Sequence, residues 1–182
     1  MEARKTDIEG LFVLEPRIFR DSRGYFFESF SERDFLAATG LRAIRFVQDN
    51  QAQSSYGVVR GLHFQKGDRA QAKLVRVSEG RVLDVAVDLR PGSPTFGRHV
   101  AVELSDENFL QFFIPRGFAH GYAVLSETAV FQYKTDNYYC PEAEGSLLCT
   151  DPALAIDWRL PPADIILSDK DRRAPLLSDL RL

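Results

Sequence analysis

Short stretches in which apolar and polar residues alternate recur along the chain, set apart by Gly, Pro, Asn, Asp and Ser. They cover residues 11–15, 25–30, 45–50, 58–65, 73–77, 82–89, 99–104, 111–114, 121–125 and 130–135. A period of two with regular turn punctuation predicts short strands in a sandwich or barrel. Ser78-Glu79-Gly80, between two of these runs, reads as a hairpin turn. One segment departs from the pattern. Residues 32–39 predict a helix, with Ser31 as N-cap, Asp34 in a capping-box variant, Phe30 and Phe35 as a hydrophobic staple, and Gly40 as the stop. From Asp151 onward, Pro152, Pro161, Pro162 and Pro175 break any long element, so the tail reads as loops and short helical turns packed on the barrel. No repeat, low-complexity tract or linker divides the chain, and residues 1–182 are expected to form one domain.

Alternation also says which side chains share a face. Lys73 falls with Val75 and Val77, Tyr133 with Phe131 and Thr135, and His63 with Val59, Gly61 and Gln65. A lysine and a histidine on apolar strand faces are costly to bury without a partner or a purpose. Their placement points to a pocket inside the barrel.

Composition narrows the function classes. Hydrophobic residues make up 45% and charged residues 27%, which is ordinary for a globular chain and argues against disorder. A net charge of −3 provides no basic surface for nucleic acid or an anionic membrane, so neither is expected as a partner. No apolar run approaches the ~20 residues that span a bilayer, and residues 1–9 contain no apolar signal core. Cys140 and Cys149 read as reduced thiols, and a cytoplasmic location is expected.

The chemistry concentrates in two segments, Arg60-Gly61-Leu62-His63-Phe64-Gln65 and Pro115-Arg116-Gly117-Phe118-Ala119-His120-Gly121. The second has the Pro-x-Gly-x-x-His spacing of the second conserved strand in cupin barrels. A metal-binding cupin also uses His-x-His and a carboxylate in its first motif. Here that motif reads His63-Phe64-Gln65, and His99, the remaining histidine, is on another strand. No metal or other cofactor is therefore expected, and a pocket histidine without a metal suggests general acid–base catalysis. Lys73 is a candidate for stabilising an oxyanion and Tyr133 for supplying a proton. The competing readings are a core histidine held by a carbonyl, a snorkelling lysine and a core tyrosine with a bonded hydroxyl. Asp169 and Asp171, in Leu167-Ser168-Asp169-Lys170-Asp171, are carboxylates that could orient an imidazole, although composition alone favours a solvated surface turn.

Several runs together resemble the dTDP-4-dehydrorhamnose 3,5-epimerase family. They include Asp21-Ser22-Arg23-Gly24-Tyr25-Phe26-Phe27-Glu28, Phe46-Val47-Gln48-Asp49-Asn50, Val59-Arg60-Gly61-Leu62-His63-Phe64-Gln65, Gln71-Ala72-Lys73-Leu74-Val75-Arg76, Ile114-Pro115-Arg116-Gly117-Phe118-Ala119-His120-Gly121, Tyr133-Lys134-Thr135-Asp136-Asn137-Tyr138-Tyr139 and Leu167-Ser168-Asp169-Lys170-Asp171. The matches extend from about residue 8 to residue 177, and their order is more specific than any single run.

The resemblance implies a mainly β, cupin-like jelly-roll barrel with a few short helices, acting as a homodimer on a dTDP-linked 4-keto-6-deoxy sugar. It implies His63 as base, Asp171 as its orienting carboxylate, Lys73 as the enolate stabiliser and Tyr133 as the proton donor. Arg23 and Arg60 resemble diphosphate ligands. Glu28, Gln48, Asp49 and Asn50 resemble nucleotide-binding positions, and His120, Tyr139, Glu144 and Lys170 positions at the substrate site. In the family the N-terminal part of one subunit helps complete its partner's site, which implies that Arg23 and Glu28 act across the dimer. Strict alternation sets Arg60 and His63 on opposite faces, so these roles require a bend or bulge, for which Gly61 is the natural place. The chain departs from the family near Cys149, where an aromatic residue is common.

Three other functions share parts of this pattern. A mono-epimerase acting at C5 alone would use the same residues. A sugar-nucleotide 3,4-ketoisomerase abstracts a similar proton but moves the carbonyl. A binding barrel without catalysis would not require His63, Lys73, Tyr133 and Asp171 together.

Overall fold

The alternating runs become strands of two facing sheets in a computed structural model that describes residues 1–181. The chain opens with β1 (Glu2–Lys5), β2 (Phe12–Glu15), the small pair β3 (Phe19–Asp21) and β4 (Gly24–Phe26), and the helix α1 (Glu32–Thr39). There follow β5 (Gln48–Ser55), β6 (Val59–Gln65), β7 (Lys73–Glu79), β8 (Arg81–Asp88) and β9 (His99–Ser105). The rest comprises β10 (Gln111–Ile114), β11 (Phe118–Val124), β12 (Thr128–Thr135), β13 (Glu144–Ser146) and the one-turn helix α2 (Asp169–Arg172). One sheet has the order β1-β2-β10-β7-β12-β5, the other β13-β6-β11-β8-β9. Consecutive strands repeatedly cross between the sheets, which is the jelly-roll arrangement of a cupin-like barrel.

The two sheets enclose a core that includes Val75, Val77, Ala86, Phe112, Tyr122 and Phe131. Each sheet is covered on its outer side as well. Helix α1 lays Phe35 over Phe12, Leu74 and Phe113. The C-terminal tail places Leu154 and Trp158 over Leu62, Val85 and Ala123, and the Trp158 indole donates to the Cys149 carbonyl at 2.8 Å. This double cover explains why β8 is buried almost throughout instead of alternating. The expected helix has the expected ends. The Asp34 amide donates to the Ser31 hydroxyl, and Gly40 stops the helix at φ 72°.

Four departures from the pattern have physical causes. Ser78-Glu79-Gly80 is not a hairpin, because β7 and β8 lie in different sheets and the chain turns a corner there. A Cβ on Gly80 would lie 2.1 Å from the Thr128 carbonyl oxygen, and its φ is +77°. The run 25–30 is broken after Phe26, which pairs with Phe19 around a turn where the Asp21 carboxylate accepts from the Arg23 amide. β5 runs well past Asn50 through a polar stretch, because one face of this edge strand is exposed and the other is mostly only half-buried. β1, an edge strand, is too charged to show as alternation.

Candidate functional site

A cavity of about 470 Å³ opens between the two sheets, within the usual size for a small-molecule site. From β6 it receives Arg60 and His63, from β7 Lys73, from β11 His120 and Tyr122, from β12 Phe131 and Tyr133, and from the tail Lys170 and Asp171.

The β6 wall depends on a break in alternation. His120 pairs with His63 and Tyr122 with Arg60, so a single residue, Gly121, lies opposite the two residues Gly61 and Leu62. This bulge turns Arg60 and His63 to the same face. Val59, Leu62 and Phe64 point outward into the tail-covered core. Val59 therefore does not share a face with His63, as strict alternation requires. Gly61 sits at φ +120°, and a Cβ there would come within 2.7 Å of the Gly121 Cα, so glycine is needed at this crossing.

The tail supplies the partner of His63. The Ile166 amide donates to Gly57 and its carbonyl accepts from Val59, which straps the segment beside β6. Ser168 caps α2 by accepting from the Asp171 amide, and its hydroxyl donates to Asp171 Oδ2 at 2.8 Å. The other oxygen, Oδ1, lies 2.5 Å from His63 Nε2, and Asp171 is 4% exposed. The apparent surface charge is thus a buried, oriented carboxylate. With Nε2–H donating to Asp171, Nδ1 carries the lone pair that can accept a proton.

A second dyad stands beside the first. His120 Nε2 lies 2.9 Å from Asp84 Oδ2, and its Nδ1 lies 3.4 Å from Lys73 Nζ. Burial lowers the pKa of His120, favouring the neutral ring. Burial also pushes Lys73 down to about 8, against the pull of Asp84 and Glu144. It raises the Tyr133 phenol above its ordinary value, which keeps the hydroxyl protonated at neutral pH. Asp84 was not singled out from sequence, although a carboxylate within the apolar run 82–89, on the parity of Val82 and Ala86, was a usable signal.

Other expected residues gather at the rim. Gln48 donates to Asn50 at 2.9 Å and accepts from the Tyr139 amide. The Asn50 amide nitrogen is buried without a hydrogen-bond partner among the described residues, an available donor for a ligand. Glu144 accepts from Tyr139 and pairs with Lys170 at 2.5 Å. Burial opposes ionisation of Glu144, yet Lys170 holds its carboxyl below the ordinary value. The Arg60 guanidinium is braced by Ser54 at 2.9 Å.

Three expected residues lie elsewhere. The Asp49 carboxylate, on the opposite face of β5, pairs with Lys134 at 2.6 Å beside a separate small cavity. Arg23 is exposed on the β3–β4 turn and paired with Asp21, and Glu28 is exposed in the following loop. Neither Arg23 nor Glu28 lines the His63 cavity of its own chain. Among the described residues, no group of three or more His, Cys, Asp and Glu is arranged to hold a metal ion.

The family model described as dTDP-4-dehydrorhamnose 3,5-epimerase matches residues 5–179. The chain belongs to that family. A dTDP-4-dehydrorhamnose 3,5-epimerase of Salmonella typhimurium is 52% identical over 98% of this chain and 96% of its own. The crystal structure of a family enzyme from Elizabethkingia anophelis shares 57% identity at a TM-score of 0.93, covering 98% and 97% of the two chains. A 3,5-epimerase from Legionella pneumophila, solved with dTDP-4-keto-L-rhamnose, shares 50% identity at a TM-score of 0.94, covering 99% and 94%.

Proposed function

We propose that this protein is a dTDP-4-dehydrorhamnose 3,5-epimerase, converting dTDP-4-dehydro-6-deoxy-D-glucose to dTDP-4-dehydro-L-rhamnose on the route to dTDP-L-rhamnose. The observation that carries the reading is the placement of base and acid on opposite walls. His63 stands on β6 in one sheet, and Tyr133 on β12 in the other. Inversion at a carbon requires a proton to leave one face and another to arrive at the opposite face.

The C4 ketone acidifies the hydrogens on C3 and C5. His63 takes a proton through Nδ1, and the electron pair of the broken C–H bond moves into an enolate. Asp171 holds the ring and stabilises the imidazolium. The Lys73 ammonium faces the enolate oxygen and offsets its charge. Tyr133 delivers a proton to the opposite face, the ketone re-forms, and solvent restores both groups. The same cycle at the second carbon completes the epimerisation.

Arg60 serves the diphosphate, which suits a braced guanidinium fork. Gln48, Asn50, Tyr139, Glu144 and Lys170 bind the nucleotide and sugar at the rim. The enzyme works as a homodimer in which Arg23, Glu28 and the region around Asp49 complete the partner's site. The exposure of Arg23, and of Phe19, Tyr25 and Phe26 at 49%, 53% and 66%, supports this. The described residues form one catalytic domain. No helix of the described residues is long and apolar enough to cross a membrane. A cytoplasmic setting suits the free thiols of Cys140 and Cys149.

Proton NMR of the substrate with the enzyme in D₂O tests the reading. Deuterium at both C3 and C5, with the L-sugar trapped by a reductase, is the expected result. Exchange at one carbon identifies a mono-epimerase or ketoisomerase, and exchange at neither means that the enzyme takes a different keto sugar or that the barrel only binds.

A further inference from the structure

A line of polar groups crosses the barrel interior. It starts at Asp84, fully buried in the middle of β8, whose two oxygens lie 3.1 and 2.9 Å from His120 Nε2. It passes through the buried His120 ring, stacked beside Phe131 at 6.1 Å between centroids. It ends on Lys73 Nζ, 3.4 Å from His120 Nδ1 and carried by the opposite sheet. A buried carboxylate is tolerated only where its oxygens are satisfied, and this one is satisfied by an imidazole that touches the site lysine.

We propose that Asp84 is a positioning residue for Lys73, acting through His120. A neutral imidazole with a carboxylate at Nε2 places its proton there. Its Nδ1 lone pair then faces the ammonium and accepts one of the three Lys73 N–H bonds. The long, flexible lysine is thereby held with its remaining N–H bonds directed into the cavity. An imidazole with the proton on Nδ1 would present donor to donor and displace Lys73. The groups facing Lys73 are Asp84, Glu144 and His120, and those facing His120 are Asp84, Lys73 and His63. The arrangement parallels Asp171–His63, but it serves the oxyanion instead of the base. The proposal rests on Lys73 facing the ketone oxygen.

The test begins with unmodified protein, labelled with ¹⁵N-histidine and free of substrate. The chain has three histidines, so each tautomer can be assigned from long-range ¹H–¹⁵N correlations. His120 is expected to carry its proton on Nε2, and a proton on Nδ1 overturns the proposal without any variant. Folded Asp84→Asn is then expected to lose about 10- to 100-fold in kcat, as when the orienting partner of a functional histidine is removed. Its dTDP affinity should be unchanged and its alkaline activity limb moved to lower pH, because the Lys73 ammonium loses a favourable charge. Unchanged kcat and limb in that variant overturn the proposal. Lys73→Met separates the two readings. If it retains turnover, the role assigned to Lys73 is wrong. If it loses turnover while Asp84→Asn does not, the relay alone is wrong.

Discussion

His63 Nε2 and Asp171 Oδ1 lie 2.5 Å apart although 108 positions separate them in the chain. Strapping of the tail along β6 creates this contact, and it commits one ring nitrogen to the carboxylate. His63→Ala is therefore expected to reduce turnover by about 10²–10⁴, the usual contribution of a general base, while dTDP binding measured by calorimetry persists. Asp171→Asn should lower kcat by about 100-fold or more, because the amide no longer enforces the productive tautomer. Near-normal turnover in His63→Ala would remove it from the role of base.

Tyr133→Phe should separate the half-reactions. Loss of the hydroxyl slows product formation by about 10²–10⁴, yet His63 still deprotonates the sugar. Deuterium should therefore continue to enter at C5 from D₂O. If exchange disappears together with product, the phenol does more than donate a proton.

Lys73 is expected to set an alkaline limit on activity. Burial disfavours its ammonium and brings it to about 8 from an ordinary 10.5. The charged form persists below that value and is lost above it, so kcat/KM should fall as pH rises through about 8. A profile flat through this range would show that the ammonium is not required.

Gly61→Ala should damage the site through the backbone. A left-handed backbone at a non-glycine residue costs about 1–3 kcal/mol, and the new Cβ would also press on the His120 carbonyl at 2.8 Å. Urea unfolding should show the loss of stability, and turnover should fall because Arg60 and His63 no longer share a face. A variant with native stability and rate would show that the bulge is dispensable.

The trans arrangement proposed for Arg23 can be tested by mixing subunits. Arg23→Ala and His63→Ala homodimers should each be impaired. Unfolding and refolding them together should produce heterodimers containing one site with both residues intact, and activity should return. No recovery would place Arg23 in its own chain's site.

Much of the barrel is legible in the sequence, because a strand with one wet and one dry face records its parity there. Tyr133 with Phe131 is such a case, and the Ser31 and Gly40 ends of the helix are set by equally local signals. Where both faces share one character the record is lost. β8 is buried on both sides, and β5 is polar on both sides, so Asp84 and the far half of β5 escaped notice. Residue chemistry and family resemblance named His63, Asp171, Arg60, Lys73 and Tyr133. Alternation alone sets Arg60 and His63 apart, and composition alone reads Asp171 as surface charge. Only the tertiary structure decided those points, because a bulge depends on the neighbouring strand, Gly121 against Gly61 and Leu62. The environment of a charge likewise depends on what packs around it, as with Asp171 buried beside His63. Local sequence determines which way a strand's faces point; which groups meet across the barrel is determined by the packing of segments far apart in the chain.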